Sequence, residues 1–274
     1  MKGPSVLVKA KLRRWLGDSN VRKLKRIVGR DRFDEVRLLQ RVFQERGDTG
    51  TMVDVGAHFG IELAMFAELD WRVIAFEPDH ANRHQLEASF GDHPNVTIDS
   101  RAVSDAAADQ VAFFSSDQSS GISGLSAFHE SHRESAKVSV TTMAEVVQEH
   151  ALDRIDFLKV DVEGFDFFVV KGVDWDGVAP DTIVCEFEDT KTRSLGYTVG
   201  DMIDYLQERG YSITLSEWFP VAEYGGQHGW KKFTADVGDI DPKGWGNLIA
   251  FRDKPEFAML AADRISELKH SVYG

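Results

Sequence analysis

The sequence predicts an α/β fold in which helices cover both faces of one seven-stranded, mostly parallel sheet. Short apolar segments alternate with segments of helical periodicity from residue 51 onwards, which is typical of successive strand–helix–strand units. The first apolar segment runs into a glycine-containing turn, and the second ends on a carboxylate. This order is typical of doubly wound, Rossmann-like domains, which bind cofactors at the carboxyl ends of their strands.

Composition and charge narrow the class of protein. The chain has 274 residues, of which 42% are hydrophobic, and this is enough for one large domain. A net charge of −13 argues against nucleic acid as a partner. Cys185 is the only cysteine, so no internal disulfide can form and a cytoplasmic location is expected. No apolar run approaches the roughly 18 residues of a membrane span.

Residues 1–46 predict a basic, amphipathic helical extension ahead of the main domain. Residues 1–30 contain ten Lys or Arg and one acid. Two interpretations stay open: a solvated helix that covers an edge of the sheet, which the pattern favours, or peripheral contact with an anionic surface such as a membrane or a glycan. The apolar residues at helical spacing are Leu24, Ile27, Val28, Val36, Leu38, Leu39, Val42 and Phe43.

The alternating segments predict the elements in order. The final two predicted strands follow one another with no helical pattern between them, so we expect an antiparallel strand in the edge region of the sheet. Strands are predicted at 51–55, 72–76, 96–99, 155–160, 182–186, 211–215 and 247–251, with a short strand pair at 111–114 and 138–141. Helices are predicted at 60–69, 82–90, 143–150, 165–170 and 199–209.

Two long connections lie between these elements. Residues 115–137 are rich in Ser and Gly and contain His129 and His132, whereas residues 216–246 are rich in Gly and aromatic side chains. Connections of this length in a compact domain are often lids or binding loops. We therefore expect them to cover an acceptor, and the aromatic rings either stack on sugar rings or pack against the body of the domain.

The glycine turn after the first strand indicates the kind of cofactor. Gly56 and Gly60 have the spacing G-x-x-x-G, and His58 stands where a dinucleotide-binding loop needs a glycine for the pyrophosphate. Glu77, at the end of the second strand, is placed to bind ribose hydroxyls. Asp54 either pairs with the ammonium group of an amino acid moiety or caps the turn. A cofactor with a ribose but no pyrophosphate is predicted, namely S-adenosylmethionine (SAM).

A second acidic cluster follows a later apolar strand. Asp161 ends that strand and points to the same crevice, while Glu163 begins the next helix. Glu163 either favours the helix N-terminus electrostatically or takes part in catalysis. Asp161 is the leading candidate for a base or a metal ligand, and Glu186 and Glu188 can complete an oxygen-rich site suited to Mg²⁺.

Several motifs together resemble the FkbM family of SAM-dependent methyltransferases, over about residues 50–252. The motifs are Asp54-Val55-Gly56-Ala57-His58-Phe59-Gly60, Phe76-Glu77-Pro78, Ala102-Val103-Ser104-Asp105, Val140-Thr141-Thr142-Met143, Lys159-Val160-Asp161-Val162-Glu163-Gly164 and Gly246-Asn247-Leu248-Ile249-Ala250-Phe251. The resemblance implies a class I SAM methyltransferase domain at residues 47–274. It further implies O-methylation of a hydroxyl on a sugar, a glycan or a glycosylated or polyketide metabolite.

The resemblance also implies roles for individual residues. Ser100, Arg101 and Ala102 would lie near the adenine, and Asp161 would stand between cofactor and acceptor. The catalytic candidates are Asp161, Glu163 and His129. The residues that would bind SAM are Asp54, Gly56, Ala57, His58, Gly60, Glu77, Pro78, Ser100, Arg101, Ala102 and Asp161.

Two functions of other classes compete with methyl transfer. A nicotinamide-dependent oxidoreductase shares the ribose carboxylate but needs a pyrophosphate loop, which Gly56–Gly60 does not supply. A non-catalytic protein of the same fold would instead use its basic N-terminal helix to dock to a membrane or a synthase complex.

Overall fold

Eleven strands form two sheets in the computed structural model, which describes residues 34–116, 119–220 and 228–252. The strands are β1 Thr51–Val55, β2 Arg72–Phe76, β3 Val96–Asp99, β4 Ala102–Ser104, β5 Ala108–Ser116, β6 His132–Thr142, β7 Phe157–Val160, β8 Thr182–Glu188, β9 Tyr211–Trp218, β10 Trp230–Thr234 and β11 Trp245–Arg252. The α-helices are α1 Glu35–Arg46, α2 Leu63–Ala67, α3 His80–Phe90, α4 Met143–Glu149, α5 Asp166–Lys171, α6 Asp189–Thr192 and α7 Val199–Gln207.

The larger sheet is mixed and has the strand order β10-β9-β11-β8-β7-β1-β2-β3. Strands β3, β2, β1, β7 and β8 run parallel to one another. Strand β11 lies between β8 and β9 and is antiparallel to both, as the missing helical pattern before it predicted. Buried apolar side chains along β1 and β7 account for their central position, because helices cover both faces of a parallel sheet.

The prediction of seven strands in this sheet was wrong by one. Strand β10 lies within 216–246, which was predicted as a structureless connection, and pairs antiparallel with β9 at the edge of the sheet. The sequence of this short segment does not predict a strand, because Lys231 and Lys232 interrupt the alternation of apolar and polar residues. It forms a strand because it pairs with β9, the strand that precedes it in the chain. Residues 221–227, within the same connection, lie outside the described residues.

The smaller sheet has the order β4-β6-β5, and its strands β5 and β6 include the two ends of the predicted connection 115–137. Strands β5 and β6 are antiparallel and longer than the predicted pair. A bridge from Phe114 to Gly124 fastens the remaining connection back onto β5. Gly124, within this connection, therefore lies next to β5.

Helix α1 is part of the core. The Asp34 side chain caps its start by accepting from the Arg37 amide at 3.0 Å, and Gly47 ends it with a left-handed φ of 70°. The ring of buried Phe43 meets that of Trp71 edge-on at 4.8 Å. Burial of one such side chain contributes about 1.5–3 kcal/mol. The other buried apolar residues of the helix are Val36, Leu38, Leu39 and Val42.

The first part of the predicted N-terminal extension, with Leu24, Ile27 and Val28, lies outside the described residues. Peripheral contact of this basic segment with an anionic surface stays a prediction. Among the residues that the structure does describe, no helix combines the length and the apolar character needed to cross a bilayer.

Candidate active site

A cavity of about 430 Å³ opens at the carboxyl edge of the larger sheet. Its floor includes the ends of β1, β2 and β7, where ligands of open α/β sheets bind. The start of α1 and the segment 120–125 form opposite parts of its wall. The predicted site residues among its lining are Gly56, Ala57, His58, Glu77, Pro78, Arg101, Ala102, Asp161 and Glu163.

The turn between β1 and α2 is shaped by close backbone contacts. The amides of Gly56 and Ala57 both donate to the Phe76 carbonyl at 3.0 Å, which holds the turn on the end of β2. Gly56 has a φ of 83°, and a Cβ there would overlap the carbonyl oxygen of Asp161. Gly60 has a φ of 76°, and a Cβ there would collide with Leu86. Both positions therefore require glycine, although Gly60 packs beneath the cavity and does not line it.

Glu77 anchors this turn through its carboxylate. Oε2 accepts from the His58 amide at 2.7 Å, and Oε1 accepts from the Asp79 amide at 2.8 Å. Burial raises the pKa of Glu77 to about 7. Each oxygen retains a further lone pair, so Glu77 can also accept from a ligand in the cavity that it lines.

His58 links the turn to the Ser/Gly-rich segment. Its φ is 50°, a left-handed conformation that is uncommon outside glycine. Its Nε2 lies 3.0 Å from the Ser120 hydroxyl, and the side-chain amide of Asn82 donates to the Ser120 carbonyl at 3.1 Å. Burial and nearby Lys159 lower the pKa of His58, so the neutral imidazole is favoured. The turn and the segment thus form one continuous wall.

Lys159 is a buried cation beneath the turn and was not among the predicted site residues. Its Nζ donates to the Gly56 carbonyl at 2.9 Å and lies 3.1 Å from Glu62 and 3.3 Å from Asp54. Burial opposes its charge, but Asp54, Glu62 and Asp161 raise its pKa well above the ordinary value. The sequence feature that could have identified Lys159 is its place inside an apolar strand, because a buried ammonium needs acidic partners.

Asp54 lies under the cavity and is not among the side chains that line it. Burial raises its pKa. Neither of its buried carboxylate oxygens has a hydrogen-bond donor, although Oδ1 is 3.3 Å from Lys159 Nζ. Asp161, by contrast, is 44% exposed at the end of β7 and has its Oδ2 3.7 Å from Lys159. Of these two carboxylates, Asp161 faces the cavity.

A second buried cation, Lys191, holds the other acids. Its Nζ lies 2.6 Å from Glu163, 2.9 Å from Glu188 and 3.5 Å from Glu186. Burial raises the pKa of Glu163 to about 7. Carboxylate oxygens of Asp161, Glu163 and Glu186 lie within 4.8 Å of one another, which is the spacing that a hard divalent cation can use.

The remaining predicted residues lie around the edge of this region. Arg101 donates to Asp99 and to Glu149, with the shortest contact to Glu149 at 2.5 Å. Ser100 is exposed, and neither it nor His129 is among the residues that line the cavity. The Nδ1 atom of His129 lies 2.7 Å from the Ser131 hydroxyl. The catalytic and binding roles of these residues stay predictions.

The end of the cavity away from the glycine turn is aromatic. The rings of Trp218 and Trp245 are 5.5 Å apart and tilted by 31°. Trp218 donates from its indole nitrogen to Glu35 at 2.8 Å, and Trp245 donates to the Phe219 carbonyl at 2.9 Å. Both tryptophans belong to the connection predicted to hold an acceptor, but Glu35 carried no sequence signal for this site.

Comparison with known families gives one match. Residues 54–213, more than half of the chain, match the family model for the methyltransferase FkbM domain. No curated protein matches the sequence at a comparable level.

Solved structures with a related arrangement are distant in sequence. One is a precorrin-6y C5,15-methyltransferase from Geobacter metallireducens GS-15, at 13% identity, a TM-score of 0.35, and 79% of this chain aligned with 88% of that one. An rRNA methylase from Streptococcus thermophilus has 9% identity and a TM-score of 0.40, with 79% of this chain aligned with 93% of that one. An O-methyltransferase from Bacillus cereus, in complex with SAH, has 8% identity and a TM-score of 0.41, with 91% and 93% aligned.

Proposed function

The chain belongs to the FkbM methyltransferase family, and on that premise we propose that it is a SAM-dependent O-methyltransferase. Its acceptor is a hydroxyl of a sugar, a glycan or a glycosylated or polyketide metabolite. The observation that carries this proposal is one continuous cavity, which reaches from the glycine turn and Glu77, past Asp161, to Trp218 and Trp245. Membership of a methyltransferase family leaves the nicotinamide-dependent alternative without support.

The charges around the cavity suit SAM. Seven of the lining side chains are carboxylic acids and three are Lys or Arg. Carboxylates favour the ammonium and sulfonium groups of SAM and disfavour a pyrophosphate. Glu77 is placed to accept from the ribose hydroxyls, and the turn at Gly56 and His58 would face the amino acid moiety.

SAM supplies an electrophilic methyl group whose C–S bond breaks on transfer, leaving S-adenosylhomocysteine (SAH). The acceptor hydroxyl must lose its proton as its oxygen forms the new bond to carbon, since a neutral alcohol is a poor nucleophile. Asp161 is partly exposed and lies between the two ends of the cavity. We propose that the carboxylate of Asp161 accepts the proton that the acceptor hydroxyl loses.

The other end of the cavity suits a neutral, ring-shaped acceptor. The tilted pair of Trp218 and Trp245 offers flat apolar surface, and Glu35 and Asn247 offer polar groups beside it. Every lining cation already has an acidic partner: Arg37 pairs with Asp34, Arg101 with Asp99 and Glu149, and Lys159 with Asp54, Glu62 and Asp161. We therefore propose an uncharged sugar ring in preference to a phosphorylated or carboxylated one.

Calorimetry and a transfer assay test these two parts separately. Titration with SAM and with SAH should give saturable binding, and its absence at millimolar ligand would overturn the cofactor assignment. Transfer of a labelled methyl group should be measured with neutral methyl glycosides and with the matching uronic acids and sugar phosphates. Faster transfer to the charged sugars would contradict the acceptor assignment.

We also propose that the basic residues 1–30 contact an anionic surface. Because α1 packs into the core, the variant that tests this should lack only residues 1–33. Binding to vesicles that contain anionic lipid should be lost in this variant while SAM binding is kept. Equal vesicle binding by the two proteins would reject the proposal.

A further inference from the structure

Lys191 occupies an unusual position for a lysine, on the short helix α6 and almost fully buried. Its ammonium donates to Glu163 at 2.6 Å and is 2.9 Å from Glu188. The face of the Phe128 ring lies 4.9 Å from Nζ on another side. Burial alone would lower the pKa of Lys191, but Glu186, Glu163 and Glu188 raise it well above the ordinary value. This side chain is therefore a fixed positive charge.

The backbone of Glu163, whose carboxylate contacts this ammonium, is in a strained conformation. Glu163 has a φ of 57°, in the left-handed region that side chains other than glycine rarely adopt. The Asp166 carboxylate accepts from the Gly164 amide at 3.1 Å, and Tyr197 donates to the Gly164 carbonyl at 2.6 Å. These bonds fix the turn that carries Glu163. Glu163 thus keeps its left-handed conformation next to a residue, Gly164, that two hydrogen bonds hold in place.

The same acids that surround Lys191 have the spacing of a divalent cation site. Oxygens of Asp161, Glu163 and Glu186 are mutually within 4.8 Å. Two of these three residues, Glu163 and Glu186, contact Lys191 Nζ at 2.6 and 3.5 Å. A divalent cation held by both would have to approach an ammonium that is already bonded to them, and like charges at that range repel strongly.

We propose that Lys191 is a positioning residue that takes the place of a divalent cation in this acidic cluster. It neutralises part of the charge of Glu163, Glu186 and Glu188 and holds the first two away from metal coordination beside Asp161. The inference rests on the proposed function, since Asp161 is the assigned base, and its consequence is methyl transfer that needs no metal.

Removal of the ammonium should then create a metal site. Lys191→Met leaves the cluster without its cation, and hard oxygen ligands at this spacing suit Mn²⁺. Lys191→Arg keeps the positive charge and should behave as the wild type. Lys171→Met is the matched control, because Lys171 is an exposed lysine that contacts the rings of Phe167 and Phe168 and lies outside the cluster.

The test is titration of the 274-residue protein and these variants with MnCl₂, followed by calorimetry and by the loss of the free Mn²⁺ electron paramagnetic resonance signal. We expect no saturable binding at millimolar Mn²⁺ in the wild type, in Lys191→Arg or in Lys171→Met. Lys191→Met should bind at least tenfold more tightly than the wild type, and Glu163→Gln in that background should abolish the gain.

Two results would overturn the proposal. One is Mn²⁺ binding by the wild type that Glu163→Gln removes, which needs no Lys191 variant to fold. The other is a folded Lys191→Met protein, judged by circular dichroism, that gains no Mn²⁺ affinity. Failure of the proposed function is a separate outcome, because it would be seen as absent SAH binding in the wild type whatever the Mn²⁺ result.

Discussion

Lys159 Nζ donates to the carbonyl oxygen of Gly56 at 2.9 Å, so β7 is tied directly to the turn that follows β1. The same ammonium balances buried Asp54 and partly buried Glu62. The end of the cavity at the glycine turn therefore depends on one lysine whose side chain is only 6% exposed. Its loss should affect both the stability of the protein and the shape of the turn.

Lys159→Met should lower the free energy of unfolding by about 3–5 kcal/mol, because it leaves buried carboxylates without their cation. Urea denaturation followed by circular dichroism measures this. Lys171→Met, at an exposed lysine, should change stability by no more than about 0.5 kcal/mol. A change for Lys159→Met as small as about 0.5 kcal/mol would show that the buried lysine is dispensable for stability.

Gly56→Ala should weaken SAH binding and destabilise the protein. The new Cβ combines a φ of 83° with a collision against the Asp161 carbonyl. Gly196→Ala is the control, since Gly196 has a φ of 89° but no atom within 4 Å of the added Cβ. It should cost only the conformational penalty of roughly 1–2 kcal/mol and leave SAH affinity unchanged. Calorimetry and urea denaturation of both variants show whether the effect of Gly56→Ala comes from the left-handed backbone conformation or from the contact with the Asp161 carbonyl.

Asp161→Asn should slow methyl transfer by about 10²–10⁴-fold, since the amide cannot accept the hydroxyl proton. The substitution keeps the size of the side chain and leaves the backbone carbonyl of residue 161, which faces Gly56, unchanged. SAH affinity should therefore stay within about threefold of the wild type. Single-turnover rates with labelled SAM measure the first effect, and calorimetry measures the second. A variant that transfers methyl groups at the wild-type rate would exclude Asp161 as the base.

SAH binding should strengthen as the pH rises through about 7. Burial raises the pKa of Glu77 to about 7, so the free protein is partly protonated there, and ribose hydroxyls bind best to the ionised carboxylate. Binding should therefore release protons near neutral pH, which calorimetry in buffers of different ionisation enthalpy detects. Glu77→Gln cannot ionise, and its weaker binding should lose this part of the pH dependence. An unchanged pH profile in Glu77→Gln would assign the effect to another acid.

Trp245→Ala should raise the KM for a sugar acceptor about five- to tenfold, because stacked aromatic contacts contribute about 1 kcal/mol. SAH affinity should not change, since Trp245 lies at the opposite end of the cavity from Glu77. Trp245→Phe keeps a ring next to Trp218 and should recover most of the affinity. Steady-state kinetics with the best glycoside of the panel provide the measurement, and a loss confined to SAH binding would contradict the assignment of the two ends.

Much of the fold could be predicted because its signals are local. The apolar segments of β1, β2 and β7 and the helical periodicity between them do not depend on distant residues. An antiparallel strand in the edge region was predicted from the absence of a helix before β11, whereas its place between β8 and β9 was not. Strand β10 could not be recognised, since its five residues become a strand only by pairing with β9.

The residues of the candidate site also fall into two groups, those that local sequence signals identify and those that only contacts between distant residues reveal. The glycine turn, Glu77 and Asp161 could be predicted to lie close together, because each follows a strand, and parallel strands bring their carboxyl ends to one edge. The burial of Lys159 and Lys191 as cations, and the hydrogen bond from Trp218 to Glu35, depend instead on contacts that form only in the folded chain. Glu35 and Trp218 are 183 residues apart in the chain, and no local pattern encodes a contact that exists only when α1 packs over the end of β9.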